Sequence, residues 1–403
     1  MRRHSRLQIV TLAVAVALLA ASRTAAQDEK PVASVTSFML ALVPKALDGD
    51  ADAAQKLAAL GPIARRAAED TTKRLLEKWR FKPLKSGRQT IEIDVSGQAR
   101  QYTLIVPKRY SAKRSWPLIL SLHGAGGNGS GEIDFLWSRH LSEWPGLIAA
   151  PSGVPPGAQW FPEQVPFVLG VIEDVCRRAS IDTNRVYVNG FSNGGNGAWF
   201  YAQNHPGRFA AACTRGGGNP TPALLLNLLH VPIYIVHGDQ DRVIAVDHDR
   251  RDAKRLSELG YTVEYTEVAG GGHKPFTDEE NPKIIAFLRK HVRNPWPKKL
   301  LFRAARPERF RNLWLEVPAG AAAQAEVRAE VKDGNVIEVT GARRVVLWLG
   351  DALMDLDQEL VVNLDGKEAF RGKAERRFST LVADLKERFD RTAPAWARLE
   401  VGQ

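Results

Sequence analysis

The chain has 403 residues, 44% of them hydrophobic and 25% charged, a balance that excludes a mainly disordered or collagen-like protein. The formal charge of +11 comes without any long run of like charges or basic stripe interleaved with aromatics, so nucleic acid is not an expected partner. Two cysteines, Cys176 and Cys213, rule out a disulfide-dense scaffold. Both lie in apolar stretches and read as buried free thiols, with one bridge as the alternative.

At the N-terminus a basic stretch, Met1 to Arg6, precedes an apolar run from Ile9 to Ala21, and small residues follow to Ala26. That order predicts a secretory signal peptide over 1–26 and a secreted or periplasmic location. The run is shorter than the roughly 20 residues that span a bilayer, so no stable membrane span is expected after cleavage. Residues 27–88 follow as a helical segment, with apolar residues three and four apart in Val35–Leu47 and Ala51–Trp79.

From 89 to 294 strands alternate with helices. Thr90–Val95 and Tyr102–Val106 alternate as half-exposed strands; Pro117–Leu122 and Gly146–Ala150 are continuous apolar runs, as central parallel strands are. The helix Val165–Arg178, the strand Arg185–Asn189, the helix Asn193–Asn204 and the strand Phe209–Cys213 come next. The helix Pro220–Leu229, the strand Pro232–Val236, the helix His248–Leu259, the strand Thr262–Val268 and the helix Pro282–Val292 complete the series. This predicts an α/β fold with a mostly parallel sheet and helices on both faces. Asn294-Pro295-Trp296-Pro297 punctuates its end. Short strands with Asp-Gly turns at Asp333 and Asp365 then predict a small β-rich, sandwich-like domain over 295–403, with one helix at Phe378–Arg388.

The strongest chemical signal is Gly190-Phe191-Ser192-Asn193-Gly194-Gly195, between a strand and a helix. A G-x-S-x-G there forces the serine into a tight turn and exposes its hydroxyl at the sheet edge. A serine needs a base, and the base an orienting carboxylate; in this type of fold the order along the chain is Ser, acid, His. After Val236 comes His237-Gly238-Asp239-Gln240-Asp241. Asp241 is placed to curl back towards a histidine, and Asp239 to bond within the turn. Downstream, Gly270-Gly271-Gly272-His273 lets a loop carry His273 over the sheet edge, whereas His291, beside Arg289 and Lys290, reads as a helix C-terminal charge. Oxyanion donors are expected from the backbone of Ala125, in the loop His123–Gly129, and of Asn193. That loop also spells G-x-G-x-x-G, but no acid ends the next strand as a dinucleotide site requires. Trp160 is expected at the substrate mouth, with hydrophobic anchoring of its loop as the alternative. No Cys/His spacing suggests a metal, and no cofactor is expected.

Residues 89–294, about half the chain, resemble α/β-hydrolases of the polyhydroxybutyrate-depolymerase and feruloyl-esterase type, and the "predicted peptidase" relatives of prolyl oligopeptidase. The resemblance rests on His123-Gly124-Ala125-Gly126-Gly127, on Ile181–Val188 leading into Gly190–Gly195, on His205–Ala211, on His-Gly-x-x-Asp ending at Asp241, and on Gly-Gly-His ending at His273. It implies a triad of Ser192, Asp241 and His273, and favours Asp241 over Asp239. Many relatives carry Met after the nucleophile, where this chain has Asn193. An ester-bearing small molecule or polymer is the implied substrate. Open alternatives are a serine peptidase and a polymer-binding protein with a vestigial hydrolase core.

Overall fold

A computed structural model describes residues 40–79, 81, 84–153, 159–303 and 309–402. The expected signal peptide lies outside them.

Residues 40–47 are helical, and α1 (Ala51–Ala58) and α2 (Arg65–Lys78) follow. Asp50 starts α1 by accepting the Ala53 amide at 2.9 Å, satisfying one of the donors a helix start leaves open. The central sheet contains β1 (Gly87–Val95), β2 (Gln98–Val106), β3 (Trp116–Leu122), β4 (Leu147–Pro151), β5 (Ile181–Phe191), β6 (Ala211–Arg215), β7 (Ile233–Gly238) and β8 (Val263–Val268). Their order is β1-β2-β4-β3-β5-β6-β7-β8. Only β2 runs against the others; β4 through β8 pair in parallel. Parallel strands need crossovers. These are α3 (Gly129–Glu132) with a π-helical turn Ile133–Trp137, α4 (Val165–Arg178), α5 (Asn193–Asn204), a 3₁₀ segment Pro222–His230 and α6 (Asp247–Glu258). The helix α7 (Thr277–Lys290) closes the series. β3, β4 and β6 are almost wholly buried, and β3 and β4 accordingly read as near-continuous apolar runs, whereas β6 ends in buried Thr214 and Arg215.

Two expectations shift. The last helix of this series was placed from Pro282, but α7 starts five residues earlier and holds Pro282 inside it. The proline deprives only the carbonyl of exposed Asp278, which water can serve, and Asp278, Glu279 and Glu280 complement the helix N-terminus. The segment after Thr221 is a 3₁₀ helix rather than an α-helix.

Beyond Trp296 two further sheets form, β10-β11-β14-β17 and β16-β15-β13-β12-β9. Their strands are β9 (Lys299–Arg303), β10 (Phe310–Asn312), β11 (Leu315–Val317), β12 (Glu326–Lys332), β13 (Val336–Thr340), β14 (Arg344–Leu349), β15 (Leu360–Leu364), β16 (Lys367–Gly372) and β17 (Ala397–Gly402). Phe302, Val327 and Ile337 of one sheet share a core with Leu315, Leu347 and Val401 of the other. The helix α8 (Phe378–Arg388) does not belong to that core. Phe378, Leu381, Leu385, Phe389 and Trp396 pack instead with Leu42, Leu57, Leu75 and the central sheet. Ile63 donates to the Arg376 carbonyl at 3.0 Å, and Trp396 Nε1 to Thr72 Oγ1 at 3.1 Å.

A buried ion pair fastens the same junction. Arg293, just after α7, meets Asp390, just after α8, and also donates to Asn184 Oδ1 (2.8 Å) and Gly207 O (2.5 Å). Burial works to raise the Asp390 pKa, but Arg293 and Arg388 outweigh it and hold the carboxyl far below its ordinary range. Its contribution to stability is therefore present above the unfolded carboxylate pKa, about 3.9, and is lost as pH falls below it. Arg293→Met should cost about 3 kcal/mol at neutral pH by urea denaturation, because it strands a buried carboxylate. The deficit should shrink as Asp390 becomes protonated in acid.

Candidate active site

The turn from β5 into α5 is possible only because of its glycines. A Cβ on Gly194 would lie 1.8 Å from the Leu122 carbonyl oxygen, and one on Gly190 would lie 2.0 Å from the Gly194 carbonyl oxygen. Between them Ser192 holds φ 57° and ψ −122°, in the left-handed half of backbone space that L-residues avoid. Its amide donates to the Arg215 carbonyl at 2.9 Å, fixing the turn to the end of β6.

The loops after β7 and β8 meet over this turn. Gly238 sits so close to Gly271 that a Cβ would lie 2.2 Å from its carbonyl oxygen, and the Gln240 amide donates to that same oxygen at 2.8 Å. This contact delivers Asp241 and His273 together. His273 Nε2 is 2.9 Å from Ser192 Oγ, and His273 Nδ1 is 2.7 Å from Asp241 Oδ2. Asp241 Oδ1 accepts the Val243 and Ile244 amides at 2.8 and 2.9 Å. Burial works to raise the Asp241 pKa, but His273 and those two amides bring it below the ordinary carboxylate value. The result is a hydroxyl, an imidazole and an ionised carboxylate in sequence, able to take a proton from Oγ and hold it on the ring. Of the two acids weighed from sequence, it is Asp241 that reaches His273. Asp239 bonds through its amide to Val268 O. His291 lies elsewhere, with Nδ1 against Phe287 O at 2.8 Å.

The loop after β3 lies against the serine. A Cβ on Gly124 would be 3.5 Å from both Ser192 Cβ and the Phe191 carbonyl oxygen, so the backbone of Gly124 and Ala125 runs beside Ser192. Asn193 opens α5 with a buried side chain. Trp160 requires a correction: it does not line a substrate mouth but is fully buried. Its Nε1 donates to the His123 carbonyl at 2.9 Å, its ring meets the His123 ring edge-on at 4.7 Å, and its own carbonyl accepts from Tyr201 at 2.7 Å. An indole with one polar atom fits beneath a loop that must expose its other backbone groups. Exposed apolar side chains lie near the triad members instead: the Phe191 ring is 4.9 Å from His273 and 5.6 Å from half-exposed Phe135, and Val243, bonded through its amide to Asp241, is 68% exposed.

Sequence reasoning missed a polar cluster beneath the site. Ser121 Oγ donates to Glu132 (2.6 Å) and accepts from Trp137 Nε1 (2.9 Å) and Asn189 Nδ2 (3.1 Å). Arg215 donates to Asn189 Oδ1 (3.0 Å) and to Pro275 O (3.2 Å), two residues past His273. Burial raises the Glu132 carboxyl to about 8, against the pull of Ser121 and Arg215. The only signal for the cluster was a set of polar residues inside apolar strands. Cys176 and Cys213 are buried free thiols, each pushed up to about 12 by burial. Among the described residues no group of three or more His, Cys, Asp or Glu is placed to hold a metal ion. No described helix is long and apolar enough to cross a membrane.

Residues 168–298 match the model of the Dienelactone hydrolase family. The fold is of the α/β-hydrolase class. It is 26% identical over 234 residues to an uncharacterized secreted protein of Arthroderma benhamiae, covering 48% of this chain and 24% of that protein. It is 26% identical over 185 residues to feruloyl esterase D of Neurospora crassa, covering 40% of this chain and 60% of that enzyme. Among solved structures, a thermostable esterase matches at 27% identity and a TM-score of 0.45, covering 51% of this chain and 63% of that one. The chain thus spans less than two thirds of the length of each of these relatives.

Two substitutions test the framework of this site. Gly194→Ala should leave no soluble, cooperatively folded protein, since the added carbon has no room against backbone. Trp160→Phe should lower stability by about 1–3 kcal/mol in urea denaturation, because it strands the buried His123 carbonyl.

Proposed function

We propose that the protein is an exported serine hydrolase that cleaves carboxylic esters on polysaccharide or polyester substrates through an acyl-enzyme. The observation that carries this is the hydrogen-bonded order Ser192, His273, Asp241 on a strained strand-to-helix turn. In the reaction His273 Nε2 takes the proton as Ser192 Oγ attacks the carbonyl carbon. Asp241 holds the ring by Nδ1 and stabilises the cation. The amides of Ala125 and Asn193 receive the negative oxygen of the tetrahedral intermediate. His273 then gives its proton to the departing alcohol, and the acyl group remains on Ser192. Water, deprotonated by the same nitrogen, attacks the acyl carbon; the acid leaves and Ser192 regains its proton. An ester is favoured over a peptide because an alcohol leaves more readily than an amine.

The surroundings support a large, externally presented substrate. Phe135, whose ring lies 5.6 Å from that of Phe191, is 54% exposed, and Val243, whose amide binds Asp241, is 68% exposed. A hollow of about 680 Å³ lies away from the serine, between α4, the end of α5, β10 and the end of α8. Export rests on the signal-peptide pattern of residues 1–26 and is in keeping with a relative named as secreted. In this reading residues 89–294 are the catalytic unit, 27–88 a helical prelude and 295–403 a β-rich addition.

Fluorophosphonate treatment of the purified full chain, with mass spectrometry of its peptides, should give one adduct on Ser192. Ser192→Ala should remove the adduct and lower kcat/KM on p-nitrophenyl acetate by about 10⁴-fold or more. A folded protein that takes no adduct would overturn the esterase reading and favour polymer binding. Acetyl, feruloyl, polyester and peptide substrates then separate esterase from peptidase.

A further inference from the structure

Behind the Ser192–His273–Asp241 line lies a second histidine–carboxylate pair that the mechanism above does not use. His237, at the end of β7, is fully buried. Its Nδ1 is 2.8 Å from Asp249 Oδ2 on α6. Its Nε2 is 3.0 Å from Ile244 O and 3.2 Å from Asp241 Oδ2, the oxygen that also faces His273. Asp249 Oδ1 accepts in turn from Trp199 Nε1 on α5 at 3.3 Å.

The proton positions follow from these partners. Nε2 faces only oxygens with lone pairs, so it must carry hydrogen; a bare nitrogen would meet Ile244 O and Asp241 with no donor between them. Nδ1 and Asp249 share one further proton. Whichever of the two holds it, Nε2–H still points at Ile244 O, with Asp241 Oδ2 beside it. Burial alone would lower the His237 pKa, but the bond and charge of Asp249, Ile244 O and the charge of Asp241 bring it above its ordinary value. The other charges near this ring are Asp252 on α6 and Glu267 on β8, besides His273 itself. Asp252 is tied to Arg251 and Asn219, each at 2.8 Å, and Glu267 to Arg250 at 2.5 Å, so neither competes for His237.

We propose that His237 is a positioning residue for Asp241: its Nε2–H, bonded to Ile244 O, stands 3.2 Å from the oxygen that orients His273 and holds the segment whose Ile244 amide binds the other oxygen, and Asp249 fixes the ring so that it does. This rests on the triad reading above. Asp241 then receives three hydrogen bonds, from two amides on Oδ1 and from His273 on Oδ2, and the His237 N–H adds its positive end beside Oδ2. Each donor makes the carboxylate a weaker partner for the His273 cation. The second imidazole therefore loosens the hold of Asp241 on the His273 cation.

The test is the acid limb of kcat/KM on p-nitrophenyl acetate, with the His273 midpoint read by ¹⁵N-histidine NMR of the full chain. His237→Asn and Asp249→Asn should each raise that midpoint by about 0.5 unit or more, with the high-pH plateau retained within about tenfold. A purely structural role would lower the plateau and leave the midpoint in place; that result in folded variants overturns the proposal. In the unaltered protein His237 Nε2 should read as protonated from pH 6 to 8, and an unprotonated Nε2 overturns the proposal even where neither variant folds. If Ser192 takes no fluorophosphonate and no ester is cleaved, the esterase reading falls. The NMR midpoints of the same variants still decide the role of His237.

Discussion

Everything at the site depends on how closely the turn after β5 approaches the end of β3. The Leu122 carbonyl oxygen occupies the space where any side chain at position 194 would begin. That approach keeps Ser192 in its left-handed conformation, starts α5 immediately behind it and brings the loop after β3 alongside. Relaxing it would let Ser192 return to an ordinary conformation and turn Oγ away from His273. The strain is held by neighbours that cannot move: the Arg215 carbonyl on one side and buried Trp160 beneath the His123 loop on the other.

Polar residues inside the sheet perform the same service for the histidine loop. Arg215 has its backbone on the serine turn and its guanidinium on Asn189 and Pro275. One residue thus spans the two loops whose separation decides whether Nε2 stands within reach of Oγ. A buried arginine is costly to desolvate, and its presence marks a position where geometry outweighs stability.

Much of this was legible in the sequence because the relevant constraints are local. The central strands β3 and β4 betray themselves by being apolar on both faces, and α4 and α5 fall at their expected residues. Ser192, Asp241 and His273 each follow a strand, where glycines allow loops to rise above the sheet edge. Other features depend on contacts remote in the chain. Trp160 looked like a mouth residue because its loop is rich in proline and glycine; that it points inward is set by Gly197, where a Cβ would lie 2.8 Å from its own Cβ. β17 escaped notice because Arg398 and Glu400 give it the look of an exposed tail, although it pairs along the whole of β14. His237 was read only as a letter in the Asp241 motif, since its partner Asp249 sits on the following helix.

The placement of α8 has a consequence for how the chain comes into being. The apolar faces of α1 and α2 are covered by Phe378, Leu381, Leu385 and Trp396, more than 300 residues downstream. At roughly 5–20 residues per second, a growing chain would leave those faces bare for about 15–60 s. A nascent chain stalled short of residue 396 would hold a complete central sheet with an open flank, a natural target for a holding chaperone. That helix is thus a clasp, and this flank is sealed only once residues 378–396 have been made.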